Sequence, residues 1–156
     1  MIKQSSSNME YRYLGNSGLR VSVVSFGNFV NWNDETLCTE LVKYCLEHGI
    51  NFFDTAEVYG FGKAETLFGK AFKTLNVPRE KIVVSTKLFL NGPDPNDGNL
   101  SRKQKLQMDY VDVVFCHKYD RYTPLEETCR AFDWVVKQGM AHYWATSNSI
   151  TDNGSV

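Results

Sequence analysis

Four polar side chains in this 156-residue chain have the chemistry to protonate a carbonyl oxygen as it is reduced: Asp54, Tyr59, Lys87 and His117. A tyrosine phenol, with an ordinary pKa of about 10, is a poor proton donor near neutrality. A lysine ammonium beside it favours the phenolate, and an aspartate keeps that ammonium charged and oriented. A histidine above such a site can hydrogen-bond the carbonyl. Taken singly, each residue also has an ordinary structural explanation. Asp54 suits a cap or turn, Tyr59 an amphipathic wall, Lys87 a solvated strand end and His117 a hydrogen-bonded loop. Composition and spacing alone leave catalysis and structure both open.

The elements that position these residues can be read from local pattern. Tyr11–Leu14 and Leu19–Val21 flank the turn cluster Gly15-Asn16-Ser17-Gly18 and predict a hairpin. Val23–Phe26, Ile50–Asp54, Ile82–Lys87, Tyr110–His117 and Ala141–Ser147 read as five strands, nearly continuous in apolar residues. Between them, Asn33-Asp34-Glu35 caps a helix whose apolar positions are Leu37, Leu41, Tyr44, Cys45 and His48. Leu67, Phe68, Ala71, Phe72 and Leu75 mark a second helix. Leu125, Cys129, Phe132 and Val136 mark another, opened by Thr123-Pro124 and closed at Gly139. Alternating strands and helices predict a parallel sheet with covered faces. Its C-terminal strand ends carry Asp54, Lys87, His117 and Ser147. A doubly wound sheet and a piece of a (β/α)8 barrel both satisfy this pattern. No GxGxxG follows the first strand, and Gly62 and Gly69-Lys70 lack the spacing and the Ser/Thr of a phosphate-binding loop.

Composition narrows the class. The chain is 42% apolar and 22% charged, with seventeen Lys+Arg against eighteen Asp+Glu, so no basic excess marks it for nucleic acid. No apolar run approaches the roughly 20 residues of a membrane helix, and Met1–Ser7 lacks the apolar core of a signal peptide. A cytoplasmic domain is expected. Cys38, Cys45, Cys116 and Cys129 form no zinc spacing and are expected as buried, reduced thiols. His48, His117 and His142 are too scattered for a metal motif.

The wording of the sequence goes further than its periodicity. Gly49-Ile50-Asn51-Phe52-Phe53-Asp54-Thr55-Ala56-Glu57-Val58-Tyr59-Gly60, then Lys63-Ala64-Glu65 and Gly69, resembles the first signature of the aldo-keto reductases. Ser85-Thr86-Lys87 resembles that family's lysine segment, and Asp109–His117 its histidine strand. Tyr13–Ser22, Leu100-Ser101-Arg102-Lys103 and Pro124–Thr128 resemble the branch containing the β subunits of voltage-gated potassium channels. The resemblance implies an α/β fold, a partial (β/α)8 TIM barrel of about five βα units with an N-terminal β-hairpin. It implies Tyr59 as general acid, Lys87 as its modulator, Asp54 as the partner of the lysine and His117 as the orienter of the carbonyl. NADP(H) is the implied cofactor, its nicotinamide end near Asn28, Phe29, Asp54, His117, Ser147 and Asn148. The implied substrate is a small aldehyde or ketone, with activity expected to be impaired by truncation. The alternatives are a regulator docking on a membrane channel and an inactive truncated product. His117 stands where channel β subunits tend to carry asparagine, which favours the reductase side.

Two departures qualify the resemblance. A full barrel of this type runs to about 250 residues, so an incomplete barrel is expected over 9–147. A disordered stretch at 1–8 and an unrelated polar tail at 148–156 are expected beside it, and an open sheet of this kind is expected to be marginal or aggregation-prone. Gln104-Lys105 stands where an amphipathic helix is normal. With Asn91–Gly98 read as loop, the crossover there should be short or missing, because a parallel crossover usually needs a dozen or more residues.

Overall fold

From Phe26 onward the five short strands pair in chain order and in parallel, and a described helix carries the chain back in three of the four connections. The computed structural model describes residues 8–29, 33–88, 106–118, 120 and 123–147. The chain opens with an antiparallel hairpin of β1 (Tyr11–Tyr13) and β2 (Arg20–Ser22), as the turn cluster predicts. Five parallel strands follow in the spatial order β3-β4-β5-β6-β7: Phe26–Gly27, Phe52–Asp54, Val83–Leu88, Val111–Cys116 and Ala141–Thr146. Helix α1 (Glu35–Glu47) joins β3 to β4, α2 (Lys63–Thr74) joins β4 to β5, and α3 (Leu125–Lys137) joins β6 to β7. The fold is α/β, a partial (β/α)8 barrel with an N-terminal hairpin.

Register decides which side chains face which way. Phe53 lies opposite Val84, and Thr86 opposite Val114, on the face covered by helices. Asp54 lies opposite Ser85, and Lys87 opposite Phe115, on the other face. The core lies between sheet and helices, where Phe53, Phe68, Val42, Val84 and Val114 are buried together. The Phe53 and Phe68 rings stand 5.9 Å apart, and those of Phe53 and Phe72 5.1 Å, both edge-on. Such pairs contribute about 0.5–1.5 kcal/mol each beyond area burial.

Helix α2 approaches its neighbours unusually closely at Gly69. A Cβ there would stand 2.6 Å from the carbonyl carbon of Leu106, and nearer still to its oxygen. The hairpin is fastened to the N-terminal end of the sheet. Tyr11 Oη donates to the Gly49 carbonyl at 2.7 Å, and the Ser22 amide donates to Asn51 Oδ1 at 2.7 Å. That leaves the opposite, C-terminal strand ends open.

Several expectations need correction. The buried row of α1 is Cys38, Val42 and Cys45, while Leu37 and Tyr44 are exposed. The helix carries two apolar stripes one residue apart, and only the smaller side chains fit against α2 and the sheet. Tyr44 stacks instead on His48 at 3.9 Å. Asp34 caps the helix as expected, its Oδ1 accepting the Leu37 amide at 2.9 Å. In α3 the buried residues are Phe132 and Val135, and Leu125 is exposed at the helix start. Val23 and Val24 are exposed, so β3 begins only at Phe26. Cys38 and Cys45 are buried, but Cys116 and Cys129 are half-buried, because both lie toward the open strand ends. The sheet is not fully covered either. On edge strand β7, His142, Tyr143 and Trp144 are exposed, although Trp144 stacks on Phe132 at 5.6 Å. The expected loop at Asn91–Gly98, the shortened crossover at Gln104-Lys105, Asn148 and the polar tail lie outside the described residues.

Candidate functional site

A strand places residues i and i+2 on the same face, so Ser85 and Lys87 of β5 project together. Asp54, the last residue of β4, lies directly across from Ser85. This alignment puts one carboxylate between two donors. Ser85 Oγ donates to Asp54 Oδ1 at 2.6 Å, and the Lys87 ammonium pairs with Asp54 Oδ2. Lys87 Nζ also donates to the Thr55 carbonyl at 2.9 Å. Its side chain is only 12% exposed, so the ammonium has exchanged most of its water for these acceptors.

Beyond Asp54 the chain runs alongside the end of β5, with the Glu57 amide donating to the Lys87 carbonyl at 3.2 Å. It then turns, with the Tyr59 amide donating to Ala56 at 3.0 Å. Gly60, Phe61 and Gly62 follow with φ of 56°, 55° and 84°. Glycine at two of these three left-handed positions lets the chain reverse into α2 immediately after Tyr59. The turn brings the Tyr59 ring over Lys87, whose Nζ is 5.1 Å from the ring centroid.

His117 arrives from β6. Its amide donates to the Leu88 carbonyl at 2.8 Å, one residue past the strand, and its ring meets Tyr59 edge-on at 6.1 Å. Burial pushes its pKa below the usual histidine value, and the positive charges of Lys87 and Lys118 push it further, against a smaller opposing pull from Asp54. The ring is therefore neutral near pH 7 and offers one N–H. On the other side of Tyr59, Phe29 packs edge-on at 5.0 Å and is itself exposed.

The fold thus brings Asp54, Tyr59, Lys87, His117 and Phe29 into one cluster. Ser147 follows β7, its amide donating to the Cys116 carbonyl at 2.8 Å, on the same rim. Asn28 is fully buried, and its side-chain amide donates to the Ala64 carbonyl at 2.6 Å, at the start of α2. Asn148 lies outside the described residues. Ser85 and the Thr55 carbonyl join the cluster without a chemical signature of their own in the sequence. Strand periodicity held the signal for Ser85, two residues before the lysine, but its importance depends on the pairing of β4 with β5.

The model of the Aldo/keto reductase family matches residues 24–153. The chain belongs to the aldo/keto reductase family. A rice (Oryza sativa subsp. japonica) protein described as a probable voltage-gated potassium channel subunit beta is 49% identical over 165 residues, covering 95% of this chain and 50% of the relative. An Arabidopsis thaliana protein with the same description is 47% identical over 152 residues, covering 89% of this chain and 46% of the relative. Among solved structures, the aldo-keto reductase AKR11C1 from Bacillus halodurans, in its holo form, is similar with a TM-score of 0.78 and 32% identity. That match covers 91% of this chain and 51% of the other. The chain spans about half the length of the relatives it matches.

For a member of this family the position of the cluster is consistent, since (β/α)8 enzymes carry their sites at the C-terminal strand ends. Among the described residues, no helix is long and apolar enough to cross a membrane.

Proposed function

We propose that this aldo/keto reductase chain carries the proton-transfer machinery for NADP(H)-dependent reduction of a small aldehyde or ketone. The observation that carries this reading is the position of the Lys87 ammonium, paired with Asp54 and 5.1 Å from the Tyr59 ring centroid, with His117 edge-on to the same ring. A lysine and a histidine face one tyrosine ring while an aspartate holds the lysine, an arrangement with no evident purpose in a core.

The residues at this rim fit a nicotinamide in kind. Asp54, His117 and Ser147 offer acceptors and donors suited to a carboxamide, and Phe29 and Tyr59 offer flat aromatic surfaces. When bound, the reduced cofactor supplies the hydride. Tyr59 gives its phenolic proton to the carbonyl oxygen as negative charge develops there. Lys87 stabilises the phenolate left behind, and Asp54 keeps the ammonium aimed at Tyr59. Neutral His117 donates a hydrogen bond that orients the carbonyl, a task that does not require it to change charge.

A second reading, docking to a membrane channel as a β-subunit-like regulator, is supported by the 49% and 47% identity to proteins described as probable channel β subunits. Titration with NADPH, followed by its fluorescence, tests the reductase reading. Saturable binding, displaced by NADP⁺, is expected. No binding at high-micromolar cofactor would overturn it for this chain, and channel docking would then be the reading left to test by pull-down.

A further inference from the structure

We propose that Ser85 is a positioning residue: its hydroxyl fixes the plane of the Asp54 carboxylate and, through it, the place of the Lys87 ammonium beneath Tyr59. The consequence for turnover rests on the reductase reading given above, but the geometric claim does not.

A carboxylate with one oxygen committed can still rotate about its Cβ–Cγ bond. Asp54 has both committed. Oδ1 accepts from Ser85 Oγ at 2.6 Å, and Oδ2 is paired with Lys87 Nζ. The two contacts lie on opposite oxygens, so together they define the carboxylate plane. Ser85 can serve as the fixed end because strands pair with it on both sides. It is fully buried in the middle of β5, directly across from Asp54 on one side and Val113 on the other. Asp54 sits at the last position of β4, with its backbone held against β5 but its side chain at the open rim. Its side chain is 32% exposed, against 12% for Lys87. The more exposed partner of the ion pair is therefore the one that needs an anchor.

The lysine supplies a second reason. Lys87 Nζ has the Thr55 carbonyl as its other acceptor, at 2.9 Å. If Asp54 swings toward solvent, the ammonium can follow it or settle on Thr55. Either move changes its distance to Tyr59. A hydroxyl at position 85 removes that choice. A methyl group there would not, and it would leave Asp54 Oδ1 to find water at the rim.

The test compares Ser85→Ala with Ser85→Thr in the full chain, using a readout that needs no turnover. Lys87 is acetylated with isotope-coded acetic anhydride, and its labelling rate is followed by peptide mass spectrometry. Lys43 and Lys73 serve as exposed references. Ser85→Ala is expected to raise the relative labelling rate of Lys87 by several fold, and Ser85→Thr, which keeps the hydroxyl, to leave it near wild type. Unchanged labelling in Ser85→Ala overturns the proposal. Equal acceleration in both variants also overturns it, since that reports a loosened strand and not a lost hydroxyl. In aldehyde reduction, Ser85→Ala should lower kcat by roughly tenfold, about the loss of one hydrogen bond to a charged group, with KM for NADPH unchanged. If labelling responds as expected while the wild type turns over no aldehyde, the positioning of Lys87 stands and the reductase reading fails.

Discussion

The Lys87 ammonium lies 5.1 Å from the centre of the Tyr59 ring, although the two residues are 28 positions apart and come from different sides of α2. The approach depends on Asp54, which holds the ammonium at the strand end, and on the left-handed turn at Gly60–Gly62, which returns the phenol over it.

On the proposed reductase reading, proton transfer at Tyr59 and Lys87 can be tested separately from NADPH binding. Tyr59→Phe removes the proton donor and keeps the ring that packs on Phe29 and His117. It should lower aldehyde reduction by roughly 10²–10⁴-fold, the usual range for loss of a general acid, while NADPH affinity changes little. Lys87→Met should lower kcat comparably. Steady-state kinetics beside fluorescence titration distinguish the two effects, and retained turnover in Tyr59→Phe would remove it from the assigned role.

His117 predicts a pH dependence of stability. Its folded pKa is lowered below the ordinary value of about 6.5, chiefly by burial. Above that value the ring is neutral in both states and contributes nothing. As pH falls below it, the unfolded chain takes up a proton first, so stability declines until the folded pKa is passed. Denaturant unfolding at pH 7.5 and 5.5 should show a loss in the wild type that is smaller in His117→Gln. An equal loss in both would assign the effect to other groups.

Gly69→Ala tests the packing of α2. The added methyl would collide with the Leu106 backbone, which cannot rotate away as a side chain could. Overpacking of this kind costs about 1–3 kcal/mol, outweighing the helix-propensity gain of up to about 1 kcal/mol. Thermal unfolding should report a lower midpoint. A raised midpoint would show that α2 and Leu106 part without cost.

The cysteines should divide by reactivity. Burial pushes the thiols of Cys38 and Cys45 up to about 11, with Asp34 and Glu35 adding to the effect at Cys38. Neither should react with iodoacetamide at pH 7.5 in the native protein, and both should do so in denaturant. Peptide mapping after brief labelling is expected to find modification at Cys129, which is half-buried, before either of them. Early labelling at Cys38 would mean that α1 detaches readily.

The chain's own order determined a good deal. The strands β4 to β7 announced themselves as short apolar runs, because parallel strands in such a fold are largely enclosed on both faces, and Asp34 marked the start of α1. The fragments around Asp54, Tyr59, Lys87 and His117 were legible as the words of a family. Tertiary structure alone decided which of two apolar stripes on α1 went inward, since Leu37 and Cys38 are equally plausible until the space against α2 is known. It also decided the role of Ser85. Strand period put that serine on the face of Lys87, but only the pairing of β4 with β5 set it against Asp54. Local propensity acts over a turn or a strand, whereas a site made of Asp54, Tyr59, Lys87 and His117 spans 64 positions and exists only where register closes those distances.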